Sequence, residues 1–140
     1  MRQRVIDSNV LIGFWHGRRP SPVKVKVRSR AEARLVADAW LKIYPGDGVL
    51  TPIRLELIGG GLDRAGVELT VFFLDLFPVF DGGEVRREDW DAALRLARRV
   101  PFEPRPRGAV DCLIRAICQR LDLELKTFDT GGPPSGSRGA

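Results

Sequence analysis

Arg4-Val5-Ile6-Asp7-Ser8-Asn9-Val10-Leu11-Ile12 is a short apolar run that ends on an acid and restarts after two polar residues. Residues 4–7 read as a buried strand and residues 8–16 as the start of a helix or turn. A strand that feeds directly into a helix opens an alternating α/β chain. The pattern recurs downstream. Ser29-Arg30-Ala31-Glu32 has the spacing of a capping box and predicts a helix running to about Ile43, where Pro45-Gly46 stops it. Val49-Leu50 reads as a short strand. Thr51 is placed to cap the next helix, with Pro52 at its first position and Gly59-Gly60-Gly61 at its end.

Residues 62–76 read as mostly helical, 77–80 as a strand and Asp81-Gly82-Gly83 as a turn. Trp90, Ala93, Leu94 and Ala97 follow helical spacing, and Pro101, Pro104 and Pro106 make a stiff loop. The last helix is expected over residues 108–121, with a core stripe of Val110, Leu113, Ile114, Ile117, Cys118 and Leu121. The final strand is expected over 123–128. Residues 23–28 alternate Val with Lys or Arg, as a half-exposed strand or arm does. Together these predict an α/β fold with a central, mainly parallel sheet covered on both faces. One domain spans residues 1–130, and the Gly/Pro/Ser-rich residues 131–140 form a flexible tail.

The chain has 140 residues, 44% of them hydrophobic and 29% charged, and a net charge of +5. An anionic partner fits that charge, and so does simple solubility. Cys112 and Cys118 are six residues apart in one helix and cannot bridge, which suits a reducing, cytoplasmic setting. No run is long and apolar enough for a signal-peptide core or a membrane span. His16 is the one histidine, so a closed zinc site is excluded and any metal takes oxygen ligands, as magnesium or manganese does.

Four acids stand out by position. Asp7 and Asp129 end the first and last expected strands. Glu56 lies about one turn into the helix after a third strand, and Asp111 sits in the first turn of the last helix. In open parallel sheets, sites form beyond the carboxyl ends of the strands. Carboxylates gathered there repel one another, and a divalent ion relieves the repulsion. Two such ions can stabilise both the attacking and the leaving oxygens of a phosphodiester.

Each acid also has an ordinary reading. Asp7 can cap the helix after it, and Asp111 can pair with Arg115 at i,i+4. Glu56 can be a plain exposed helix residue. Arg18, Arg19, Lys24, Lys26, Arg28 and Arg30 form a basic arm that can follow a nucleic-acid backbone or simply guard a sheet edge against aggregation. Trp40 and Trp90 fit apolar helix faces and are expected in the core, and His16 at the surface or the core edge.

Four segments together resemble the PIN-domain ribonucleases, above all the VapC-type toxins of toxin–antitoxin pairs. They are Val5-Ile6-Asp7-Ser8-Asn9-Val10-Leu11-Ile12, Thr51-Pro52-Ile53-Arg54-Leu55-Glu56-Leu57, Ala109-Val110-Asp111-Cys112-Leu113-Ile114-Arg115-Ala116 and Leu125-Lys126-Thr127-Phe128-Asp129. The resemblance implies a three-layer α/β/α domain. It implies that Asp7, Glu56, Asp111 and Asp129 are catalytic and bind Mg2+ or Mn2+, with Ser8, Asn9 and Thr127 as polar support. The implied activity is endonucleolytic cleavage of RNA by metal-activated water, and the implied partners are a cognate antitoxin and a second copy of the chain. Arg54, Arg107 and Arg115 are candidate contacts to RNA phosphates.

Two other readings are open. One is a non-catalytic PIN-like module that binds RNA or protein. The other is a phosphatase with Asp7 as nucleophile, which wants a second Asp where this chain has Asn9.

Overall fold

A computed structural model describes residues 2–99 and 108–127 of the chain. At its centre β1 (Arg4–Ile6) lies between β2 (Asp47–Gly48) and β3 (Glu124–Lys126), and both pairings are parallel. Arg4 faces Asp47 on one side and Glu124 on the other, and Val5 faces Gly48 and Leu125. Parallel neighbours cannot be joined by a tight turn, so helices carry the crossovers. Val5 and Ile6 are completely buried, as an inner parallel strand requires. The fold is mixed α/β with an all-parallel sheet, as the alternating pattern predicts.

Among the described residues six helices surround it: α1 (Ser8–Trp15), α2 (Arg30–Ile43), α3 (Thr51–Gly59), α4 (Arg64–Leu74), α5 (Arg87–Ala97) and α6 (Ala109–Leu121). α4 packs on α2 and α3, and α6 packs on α3 and, most extensively, on α5. No helix among the described residues is long and apolar enough to cross a membrane.

The strands depart from expectation at three places. The pairing expected at Val49-Leu50 falls two residues earlier, at β2. The strand expected over 77–80 is reduced to one parallel bridge between Val49 and Val79. There the Val49 N–H donates to the Pro78 carbonyl (2.8 Å) and the Phe80 N–H to the Val49 carbonyl (3.0 Å). Pro78 has no N–H to add to a ladder. Residues 23–28 form no strand among the described residues. They lie instead on the end of α1, where the Val27 N–H donates to the Trp15 carbonyl (2.8 Å). Gly17, at φ +66°, permits that approach, since a Cβ there would stand 2.7 Å from the Val25 carbonyl carbon.

The caps are also partly rearranged. Ser29 caps α2 by accepting the Glu32 N–H, but the Glu32 carboxylate accepts the N–H of Arg28 (2.7 Å) in place of the expected Ser29 N–H. Thr51 does not cap α3. Leu50 holds the cap position, and Thr51 begins the helix with its side chain turned to Asp81. Trp90, expected in the core, is 54% exposed, and Leu94, which shares its helical spacing, is 63% exposed. The inward face of α5 is Asp89, Ala93 and Leu96. Asp89 draws that face in, because its buried carboxylate takes two hydrogen bonds from Arg120 of α6 (2.7 and 2.9 Å) and the Arg86 N–H (2.9 Å). Trp40 is buried as expected.

A second buried acid ties the amino end of the sheet. Asp47 accepts Arg4 Nε (2.9 Å), Arg4 Nη2 (2.8 Å) and Trp40 Nε1 (2.7 Å), which joins β1, β2 and α2 at one carboxylate. Removing it strands a half-buried guanidinium and a buried indole N–H. Asp47→Ala is therefore expected to cost about 3–5 kcal/mol of unfolding free energy in urea titrations.

Asp89 gives the fold an acid limit. Burial alone would raise its pKa, but the Arg120 and Arg86 hydrogen bonds and charges outweigh burial and hold it below 3.8. Its stabilisation is complete above the unfolded-state value and is lost as pH falls through the depressed folded value. Asp89→Asn should flatten the acid limb of a stability-versus-pH curve below pH 4, and an unchanged limb would show that Asp89 titrates equally in both states.

Candidate functional site

Asp7 stands one residue beyond the carboxyl end of β1. Its N–H donates to the Lys126 carbonyl (3.0 Å), so the end of β1 stays fastened to the end of β3. Its carboxylate caps α1 by accepting the Ser8 N–H (2.8 Å). The capping role read from the sequence is thus real, and it fixes where the acid sits. The side chain is half-buried, and its pKa is raised. Burial is the main cause and the charge of Asp111 adds to it, while the Ser8 N–H and the charge of Arg115 oppose both.

Asp111 is in the first turn of α6 and makes an ion pair with Arg115 one turn on (3.1 Å). Asp7, Asp111 and Arg115 therefore share one electrostatic neighbourhood at the carboxyl end of the sheet. Cys118, one turn beyond Arg115, feels the charges of Arg115 and Asp7. Burial pushes its thiol up to about 11, Arg115 opposes and Asp7 adds. A thiol so placed stays protonated and is no nucleophile at neutral pH.

Glu56 is exposed on α3 and lines a cavity of about 630 Å³ together with Ser8 and Asn9 of α1. Trp15, Leu57 and Phe73 give that cavity apolar walls, and His16 stands at its edge. The pKa of His16 is lowered, by partial burial first and then by the charges of Arg18 and Lys26. Arg54 of α3 is engaged by Asp75 (2.6 Å). Thr127 follows β3 and is half-buried. Asp129 and Arg107 lie outside the described residues, as do Phe128, the proline loop and the tail.

The sequence reading missed Asp81, which it took for a turn residue. Its buried carboxylate accepts the Thr51 N–H (2.8 Å), the Thr51 hydroxyl (2.7 Å) and the Gly83 N–H (3.0 Å). It fixes the start of α3 and so the placement of Glu56 one turn later. An Asp heading a Gly-Gly turn was the available signal, because such an Asp turns its side chain back on the local backbone.

Among the described residues, no group of three or more His, Cys, Asp or Glu is gathered closely enough to hold a metal ion. What they do supply is two acids, Asp7 and Asp111, with the charge of the second acting on the first. These are hard oxygen donors, with one carboxyl destabilised as an anion by burial and by its neighbour, and a divalent cation relieves that situation. The pair fits magnesium or manganese in donor type.

The raised pKa of Asp7 has a thermodynamic sign. Its ionisation weakens the fold as pH climbs from 3.8 through the higher folded value. Asp7→Asn keeps an oxygen for the Ser8 N–H and removes the charge. In chelating buffer at pH 7 the variant should melt above the parent, and the two should converge in acid. A variant melting lower at pH 7 would mean that the charge is compensated in the parent.

Comparison of the chain with protein-family models, with curated proteins and with solved structures gives no match.

Proposed function

We propose that the chain is a PIN-like endoribonuclease dependent on Mg2+ or Mn2+, acting as the toxin of a toxin–antitoxin pair. The observation that carries this reading is Asp7 at the carboxyl end of a parallel sheet, half-buried with its pKa raised by burial first, and with the charge of Asp111, from the other end of the sequence, adding to it. The four-segment resemblance supplies the family. In this reading the domain takes the three-layer α/β/α arrangement, and its partners are a cognate antitoxin and a second copy of the chain.

Asp7 and Asp111 would hold the ion, with Glu56 and Asp129 as the remaining acids of the set. A bound divalent ion supplies water made acidic enough to attack at neutral pH and charge to offset that of the phosphodiester. The protein's own contribution is positional. The Ser8 N–H fixes the rotamer of Asp7, and Arg115 orients Asp111. Asp81 sets α3 so that Glu56 faces the same cavity as Ser8 and Asn9. No cysteine or histidine nucleophile enters.

Purified protein should cleave single-stranded RNA when Mg2+ or Mn2+ is present and stop in chelator. Asp7→Asn and Asp111→Asn should each lower the rate by about 10²–10³-fold, the usual cost of losing one transition-state-stabilising group. Equal cleavage by parent and variants would place the activity elsewhere.

The rival reading, a non-catalytic module that binds RNA or protein, draws on the ion pair that already occupies Asp111. Manganese titration by calorimetry separates the two, since a non-catalytic module need not take up the ion.

A further inference from the structure

Positive charge is concentrated in one part of this chain. Residues 18–34 carry seven Lys or Arg against a single acid, Glu32, whereas the whole protein is only +5. That surplus of six exceeds the total, so all other residues together are slightly acidic. Glu32, the segment's acid, accepts the Arg28 N–H and makes no ion pair with these cations among the described residues. None of the seven cations makes an ion pair among the described residues, whereas Arg4, Arg54, Arg115 and Arg120 all do.

The cations are displayed and not scattered. From residue 23 to 28, Val23, Val25 and Val27 turn inward while Lys24, Lys26 and Arg28 are exposed. In such an alternating chain, successive outward side chains stand about 6.7 Å apart. That is the scale between neighbouring phosphates of an extended single strand. The display is held in place by the Gly17 contact with Val25 and by the Val27–Trp15 hydrogen bond. Beyond it, the guanidiniums of Arg30 and Arg34 lie 4.8 and 5.1 Å from the ring centre of Phe72 on α4.

The shelf reaches the candidate site from two directions. The charges of Arg18 and Lys26 act on His16, at the edge of the cavity that Glu56 and Asn9 line. Arg28 and Arg30 line a second, shallower cleft of about 490 Å³ against α4, and Gly66 borders both clefts. Glu68, on the far wall of that cleft, is its one acid among the described residues.

We infer that residues 18–34 form a docking shelf for the sugar-phosphate backbone of single-stranded RNA and deliver a phosphodiester to the carboxylate edge. The RNA identity rests on the nuclease reading, while the anion-binding shelf rests on the charge distribution alone. Contacts of this kind read phosphates and not bases, so the shelf positions RNA without choosing its sequence.

The test is binding of a labelled single-stranded oligouridine to the full chain, followed by fluorescence anisotropy in EDTA so that no cleavage is required. The variant Lys24→Gln/Lys26→Gln/Arg28→Gln changes exposed side chains only. It should bind at least ~10-fold more weakly at physiological salt and lower the slope of log affinity against log salt by about 2, at ~0.7 per lost phosphate contact. A second measurement uses the parent protein. At saturating RNA, Lys24 and Lys26 should be protected from acetylation while Lys42, at the far end of α2, stays reactive.

Unchanged affinity and unprotected lysines overturn the shelf, whether or not the protein cleaves RNA. The same result with an acidic polypeptide bound there in its place would assign the surface to protein. Protection and weakened binding without any divalent-dependent cleavage uphold the shelf and overturn only the nuclease.

Discussion

The carboxylate of Asp47 holds three donors at the amino end of the sheet, and the geometry of the molecule follows from that clamp. Arg4 begins β1, Asp47 begins β2, and Trp40 lies in the last turns of α2. Their meeting sets the register of the central strand against its neighbour and seats the crossover helix. With β1 so fixed, its carboxyl end can point in only one direction, and Asp7 is the residue found there. The two ends of the sheet thus treat an acid in opposite ways. Asp47 is surrounded by donors. Asp7 has the Ser8 N–H and side chain and the charge of Arg115 in its favour, but burial and the charge of Asp111 outweigh them. A carboxyl whose pKa is raised in this way is the kind of group that functional sites collect.

Local chemistry was readable from the sequence, and distant partnership was not. The strand-to-helix step at residues 4–15, the Ser29 cap and the triple-glycine stop of α3 each depend on neighbours a few positions away. The sequence placed them well. The role of Thr51 depends on Asp81, thirty residues on, and the orientation of α5 depends on an Asp89–Arg120 contact spanning thirty-one. Helical spacing put Trp90 in the core because an apolar stripe is normally the buried one. Here a buried ion pair outweighed it. At residues 77–80 the apolar run was strand-like, but one proline limited it to a single bridge. For the site, three of the four acids fall among the described residues. The charge of Asp111 acts on Asp7, and Glu56 takes its place through an Asp81 interaction that no spacing rule announces.

The arginines divide the molecule into two electrical regimes. Those that serve the fold, Arg4 and Arg120, are largely buried and held in two-pronged hydrogen bonds with carboxylates. Such geometry suits guanidinium better than ammonium, and lysine would not substitute there. The cations of residues 18–34 mix lysine with arginine and are exposed, with Arg30 and Arg34 also lying over the Phe72 ring. Their field is open to solvent and falls off with salt, unlike that of the buried pairs. Fold stability and surface attraction therefore respond to different variables in this protein, pH for the first and ionic strength for the second.

The three tryptophans sample three surroundings. Trp40 is buried with its N–H on a carboxylate, Trp15 walls the cavity beside α4, and Trp90 is open to water. The molecule thus carries its own optical probes. With Trp90 replaced by phenylalanine, the remaining emission would come from one indole that reports unfolding and one that reports what enters the cavity. The two events can then be followed by light in a single unlabelled sample.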